Sequence, residues 1–408
     1  MMLRNHADQI IRDVLRAAQP DTAVQTALQN AELSGSLYLV AAGKAAWQMA
    51  KAASEILTFR DGVVVTKYDH VMGEIPGIRM FEAGHPIPDG NSFAATAAAL
   101  EMVDRLTEQD TVVFLLSGGG SALFEQPLVS DEELADITAQ LLASGADIVE
   151  MNTIRKRLSA VKGGRFALRC APAKVFSIVL SDIVGDPLDM IASGPAYPDT
   201  STCEQAVAIA EKYHLKLSPQ AAALLRKETP KELGNVETHV TGSVRQLCAA
   251  AVRSAEQLGY EAHVLTASMT CTARDAGSFL ASIAQYHRDT KKPLAFFAGG
   301  ETVVRLTGKG LGGRNQELAL AAAEGISGFG GAAVFSVGSD GTDGPTDAAG
   351  GFTDGDTRTV LAEQGISIPA VLQDNDAYHA LQKCGGLIMT GPTGTNVNDL
   401  AGLLLLPE

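Results

Sequence analysis

A chain of 408 residues exceeds what one ordinary hydrophobic core serves, so its length points to two domains. Apolar residues make up 46% and charged residues 19%, with 41 Gly, 16 Pro and one Trp, a composition that suits an α/β protein with many tight strand-to-helix turns. A formal net charge of −15 excludes a general binder of nucleic acid or anionic membrane, which such a surface repels, but not one small anion in a locally basic pocket.

Two helices are predicted before about Asn30. The first, Met1 to Arg16, carries charges throughout and does not read as a signal peptide. No apolar run reaches the roughly 20 residues a membrane span needs. The five cysteines (Cys170, Cys203, Cys248, Cys271, Cys384) are scattered, without a CxxC pair, which argues against a disulfide framework or a zinc site. A cytoplasmic protein without nucleic-acid or membrane partners is the expectation.

A repeated pattern of apolar run, glycine turn and alanine-rich helix follows. Leu37–Ala42 reads as a strand that turns at Gly43 into a helix over Ala45–Leu57. Gly62–Thr66, Gly77–Phe81, Thr111–Leu116 and Val175–Leu180 read as further strands, and Thr202–Leu233 as a polar helical boundary region. Beyond it, Val240–Thr241, Glu261–Thr266, Leu294–Ala298, Thr302–Leu306, Ala332–Val337 and Leu387–Met389 give a second strand set. Strands alternating with helices imply parallel pairing in layered α/β sheets, with ligands at the carboxyl ends of the strands.

The unusual clusters fall at those ends. Lys44 follows Gly43 in the first turn of a helix, against the helix dipole, a placement that suits a bound anion. Position 38 is Tyr38, so this is no Walker A loop, and Gly43 to Gln48 lacks the later glycines of a dinucleotide fingerprint. Ser117-Gly118-Gly119-Gly120-Ser121 after an apolar strand reads as an anion nest. Met151 to Arg165 is a basic segment in which Asn152 and Arg155 share a helical face. Lys156 and Arg157 are read as a solvated face. Asp182 and Asp186, then Asp340 and Asp343, are acid pairs at strand ends that suit Mg²⁺ or turn capping. Arg314, behind Gly312-Gly313, repeats the oddity of Lys44. Loss of either cation is expected to harm turnover far more than folding.

These clusters resemble the glycerate 2-kinase family, whose C-terminal part is the MOFRL domain. The resemblance rests on Ala42–Ala45, Gly84-His85-Pro86-Ile87-Pro88-Asp89, Ser117–Leu123, Asn152–Gly164, Leu180–Pro195, Gly299–Thr302, Gly312–Leu318, Gly338–Ala349 and Thr390–Asp399. It implies two layered α/β domains with largely parallel sheets, a Rossmann-like domain over 1–232 and a MOFRL-like domain over 233–408, with the active site in the cleft between them. It implies ATP, Mg²⁺ and D-glycerate, with 2-phosphoglycerate as product. Roles are then expected for Lys44, Asp182 and Arg314 in catalysis, and for Asp186, Asp340 and Asp343 on the metal. Ser117, Gly118, Gly119, Gly120, Ser121, Asn152, Arg155, Glu301, Asn315, Thr393 and Asn396 are expected on substrate and phosphate. Which acid takes the proton and which holds metal stays open. Where relatives carry Gly-Glu-Ala-Arg this chain reads Cys271-Thr272-Ala273-Arg274, so that glutamate has no counterpart. The alternatives are a nicotinamide-dependent hydroxypyruvate reductase, weakened by the missing glycine fingerprint, and a non-catalytic small-anion binder.

Overall fold

Six strands form the first sheet: β1 (Ser36–Ala42), β2 (Asp61–Lys67), β3 (Ile78–Ala83), β4 (Asp110–Leu116), β5 (Lys174–Leu180) and β6 (Val236–Gly242). The computed structural model describes residues 2–29, 31–181, 185 and 188–407. The order is β3-β2-β1-β4-β5-β6, and the ladders from β3 to β5 are all parallel. β4 is buried along its whole length, as a parallel strand covered on both faces must be. The helix Ala46–Ile56 lays Met49, Ala50 and Ala53 into the core with Leu39, Ala41 and Val113. The chain leaves β1 towards one side of the sheet and β4 towards the other, so a crevice opens at their carboxyl ends.

The second sheet joins β7 (Glu261–Met269), β8 (Leu294–Gly300), β9 (Ala332–Gly338), β10 (Gly350–Asp354), β11 (Leu387–Ile388) and β12 (Asp399–Leu405) in the order β11-β10-β9-β12-β8-β7. Four of these strands share one direction, but β10 and β12 run against them, so a parallel ladder forms only between β7 and β8. This sheet is therefore mixed rather than built from parallel ladders. β12 slots between β8 and β9 and pairs with both, through Asp399 to Leu405.

One compact unit runs from Ala23 to Ser181 and on to Thr241; the other joins the segment up to Thr22 to the chain from Gly242 onward. The expected boundary was after 232; the compact units divide the chain elsewhere. Val236–Gly242 closes the first sheet, and the helix Met2–Ala17 belongs with the second unit. Its apolar stripe (Leu3, Ala7, Ile10, Ile11, Val14) is buried with Leu247, Ala251, Phe335 and Leu404, which explains its amphipathic pattern. No helix among the described residues is long and apolar enough to cross a membrane.

Candidate functional site

In the first unit the crevice is built by the turns after β1 and β4. The Lys44 amide donates to Gly118 O at 2.9 Å, the Ala45 amide to Ser117 Oγ at 3.0 Å, and the Ser117 amide to Ala42 O at 3.0 Å. The oxygen of Ser117 thus accepts from the turn that opens the helix Ala46–Ile56. Gly43, at φ +124°, leaves no room for a side chain, since a Cβ there would lie 2.2 Å from Ser117 Oγ. Among the described residues nothing accepts from the amides of Gly118, Gly119 and Ser121, so the glycine run keeps three free donors, as an anion nest requires. Phe124 anchors the run: its ring lies 5.7 Å from Phe114 and 5.1 Å from Phe166.

Beside the nest stand two groups with no partner among the described residues. The Lys44 ammonium is exposed, and the His85 imidazole is half-buried. A Cβ on Gly119 would fall 3.0 Å from His85 Cδ2, 3.1 Å from Nε2 and 3.2 Å from Lys44 Cγ, so both side chains close on the space that only a glycine leaves open there. Burial, then the charges of Lys44 and Lys67, hold the His85 pKa below the usual histidine value. Sequence reasoning passed over His85, although Gly84-His85-Pro86 was among the resembling stretches.

The basic segment backs the nest. Lys162 is fully buried, pairs with Glu125 at 2.7 Å and donates to the carbonyls of Ser121 (2.9 Å) and Phe124 (3.1 Å), fixing the nest from beneath. Burial lowers its pKa and Glu125 opposes that fall. Ser193 Oγ lies 3.3 Å from Ser121 Oγ and donates to Asn152 Oδ1 at 2.9 Å. Ala192 (φ +49°) and Ser193 (φ +62°) are both left-handed, a strain on the order of 1–3 kcal/mol each that persists only where surroundings enforce it. Asn152 thus orients the turn facing the nest. Arg155 is half-buried without a hydrogen bond or ion pair among the described residues.

The solvated-face reading of Lys156 and Arg157 is overturned: they are 1% and 0% exposed. Both turn inward to buried Asp199, Lys156 at 2.9 Å and Arg157 at 3.7 Å, and Arg157 also donates to Thr153 O and Ser201. Burial alone would raise Asp199; hydrogen bonds from Thr229 and Lys156 keep it below the ordinary aspartate value.

In the second unit the ends of β8 and β9 and the start of β12 meet the N-terminus of the helix Arg314–Gly325. Asp399 pairs across to Gly300 on one side and Gly338 on the other. Arg314 grips Asp399 through Nε (2.5 Å) and Nη2 (3.0 Å) and reaches Glu301 through Nη1 at 3.0 Å. Burial pushes the Asp399 carboxyl up even though Arg314 pulls it down, so Asp399 depends on that partner to stay ionised. Asn398 donates to Glu301 at 3.3 Å and keeps its own Oδ1 buried without a partner. Neither Asp399 nor Asn398 was singled out by sequence; an Asp opening an apolar run was the available signal.

Asp343, expected on the metal, caps a helix in this structure. Its two oxygens accept from the amides of Asn315 (3.1 Å) and Gln316 (2.9 Å), and a Cβ on Gly313 would strike its carboxyl at 2.2 Å. Asn315 braces the cap, donating to Asp343 and accepting from Ser336. Burial raises the Asp343 pKa to about 6, with Asp399 adding repulsion, against those amide bonds. A carboxyl raised in the folded state stabilises it below the unfolded value and loses that contribution as pH rises through about 6. The melting temperature of the native chain, relative to Asp343→Asn, should therefore climb as pH falls from 7.5 to 5. A difference that stays constant over that window would show that Asp343 does not titrate there.

Asp340 fits an oxygen-ligated ion better: it is half-buried, with one oxygen accepting from the Thr342 amide at 3.0 Å and the other uncommitted. Mg²⁺ asks for one or two carboxylates, the rest of its shell coming from phosphates and water, so Asp340 suffices as one ligand. Thr393 is committed to loop structure, its hydroxyl donating to Ser339 O and its carbonyl accepting from Gln19 at 2.9 Å. Asn396 is exposed and its side chain makes no hydrogen bond among the described residues. Asp182 and Asp186 lie outside the described residues. Arg274, from the departing Cys271–Arg274 element, pairs with buried Glu317 at 2.9 Å, so this arginine is structural here.

Two family models match the chain: a domain of unknown function, DUF4147, over residues 6–226, and the MOFRL family over 294–399. The chain is 52% identical to a D-glycerate 2-kinase of Thermotoga maritima, covering 98% of this chain and 97% of that protein. It is 42% identical to a glycerate 2-kinase of Pyrococcus horikoshii with the same two coverages. A protein of Agrobacterium vitis that carries a hydroxypyruvate reductase label is 37% identical over 98% of this chain and 94% of its own length. Among solved structures, that of a glycerate kinase from Thermotoga maritima matches with a TM-score of 0.95 at 52% identity, covering 99% of this chain and 100% of that one. With likeness of this extent in sequence and in fold, the resemblance read from the motifs holds, and the chain belongs to the glycerate kinase family, with a DUF4147 N-terminal part and a MOFRL C-terminal part.

Proposed function

We propose that the protein transfers the γ-phosphoryl group of ATP to the 2-hydroxyl of D-glycerate, giving 2-phosphoglycerate and ADP. The observation that carries this reading is the crevice between β1 and β4, where Lys44, whose ammonium has no partner among the described residues, is held by its backbone amide against a glycine run that keeps three amides free among those residues. The likeness to D-glycerate 2-kinase along nearly the whole chain supports it and supplies the substrate. Phosphoryl transfer asks the protein chiefly to position anions and neutralise charge. Lys44 and the amides of Gly118, Gly119 and Ser121 hold phosphate oxygens. Arg155, free and half-buried, takes the glycerate carboxylate. Arg314 keeps its Asp399 grip and offers the edge now turned to exposed Glu301. Asp340 would hold Mg²⁺, which when bound would neutralise phosphate charge; Asp182 and Asp186 remain candidates for orienting the ion or the attacking hydroxyl.

The strand order of the first sheet is also that of dinucleotide-binding folds, yet a fold does not fix a function. Its first turn carries Lys44 where a dinucleotide site needs glycines, which counts against the reductase reading. Phosphorus NMR of the product with ATP and D-glycerate tests the proposal; 3-phosphoglycerate, or no phosphorylated product, overturns it. In the same assay Lys44→Ala should lower kcat/KM by roughly 10²-fold, the scale for one preorganised charge. Its melting point should stay within about 1 °C of the parent, because only a few tenths of a kcal/mol of dipole repulsion is relieved.

A further inference from the structure

A kinase acting on a hydroxyl must dispose of that hydroxyl's proton, and the described carboxylates near the two clusters are mostly committed. Asp343 spends both oxygens on helix amides, and Asp399 is gripped by Arg314. His85 is different. Its imidazole is half-buried, makes no hydrogen bond or ion pair among the described residues, and lies with the Lys44 stem beside the spot that a Cβ on Gly119 of the anion nest would occupy. A side chain on Gly119 would fill the space between them. An imidazole without a partner among the described residues, packed with the stem of Lys44 against a glycine of the nest, is an arrangement that stability alone does not call for.

We propose that His85 accepts the proton of the attacking substrate hydroxyl, an inference that rests on the phosphoryl-transfer reading. As the hydroxyl oxygen bonds to the γ-phosphorus, the bond from that phosphorus to the bridging oxygen of ADP breaks. The hydroxyl proton passes to the unprotonated ring nitrogen of His85, and the imidazolium later returns it to solvent. The charges facing His85 are Lys44, from the turn after β1, and Lys67, at the end of β2. With burial they keep the free ring neutral, the form a base requires. A bound phosphate offsets the Lys44 charge, so ligand binding strengthens this base when it is needed.

The test pairs kinetics with a measurement that needs no turnover. His85→Asn keeps a polar side chain of similar reach and cannot take a proton at neutral pH. It should lower kcat by roughly 10²- to 10³-fold, the range for a general base, with the KM values for ATP and glycerate within a few-fold. The acidic limb of the kcat profile between pH 5 and 8 should disappear in that variant. In the native chain the His85 ring resonance, assigned by its loss in His85→Asn, should titrate below the ordinary histidine range and move up when 2-phosphoglycerate is added. A variant that keeps more than a third of the parent kcat with the same acidic limb sinks the proposal. So does a His85 titration that 2-phosphoglycerate leaves unmoved in a protein that makes 2-phosphoglycerate. A native chain that forms no 2-phosphoglycerate at all refutes the functional reading itself, which separates the two failures.

Discussion

Arg314→Ala should destabilise the second unit by about 3 kcal/mol, the lower end of the cost of stripping one partner from a buried ion pair. The lower end applies because the Arg314 side chain is 35% exposed while Asp399 is 3% exposed. The sequence alone predicts the opposite sign, since a cation at a helix N-terminus opposes the dipole. That term is only a few tenths of a kcal/mol, and an unpaired Asp399 between β8 and β9 outweighs it. At this domain size the loss corresponds to a fall in melting temperature of roughly 6–12 °C. Arg314→Lys should fall between, because an ammonium cannot reproduce the two-pronged grip on Asp399. Turnover should fall in both variants at temperatures where they remain folded. Melts of Arg314→Ala that overlay the parent would mean the Asp399 pair does not form in solution.

Asp199→Ala should cost more, about 3–5 kcal/mol, because it leaves two cations buried instead of one anion. Lys156 and Arg157 both look to Asp199, and Thr229 donates to it at 2.7 Å. Glu228 gives Arg157 some compensation at 3.6 Å from a half-exposed position; Asp189 does the same for Lys156 at 3.3 Å. Neither can satisfy the buried carboxylate's whole set of donors. Lys156→Met should be milder, since Asp199 keeps Arg157, Thr229 and Ser201, and the methionine fills the vacated volume. Urea unfolding of both variants measures the difference. Equal midpoints for Asp199→Ala and the parent would show that the two cations find other partners, and the buried network would not be the constraint it looks to be. Because the helix Ile148–Leu158 also carries Asn152, activity should decline together with stability.

Local pattern carried the elements whose signal lies within a few residues. The helix Ala46–Ile56, the strands around the first crevice and the nest after β4 were legible because each pairs an apolar run with a glycine turn. What failed depends on distant partners. Thr302–Leu306 reads as a strand, yet it is held as a loop: Asn375 accepts from the Thr307 and Gly308 amides and donates to Arg305 O, leaving Val303 a lone bridge to Thr272. β12 escaped notice because a terminal apolar run gives no hint that it will enter mid-sheet. The inward turn of Lys156 and Arg157 was invisible for the same reason, as Asp199 lies 43 residues from Lys156. At the site, residue type found Lys44 and Arg314. Only geometry separated the free ammonium of Lys44 from the doubly paired guanidinium of Arg314, and only geometry set His85 beside the nest.

The path of the chain through the second unit also orders events during synthesis. The helix Met2–Ala17 is made before the first unit, but its apolar stripe waits for Leu247, Phe335 and Leu404, and β12, which completes the sheet's centre, follows all of them except its own Leu404. The first unit, lying between these ends, can fold as it emerges, in the usual order of translation. The second can close only once β12 has been made, and until then the helix Met2–Ala17 lacks the residues that bury its apolar stripe. Substitutions in that stripe should therefore unsettle the half of the protein that closes late.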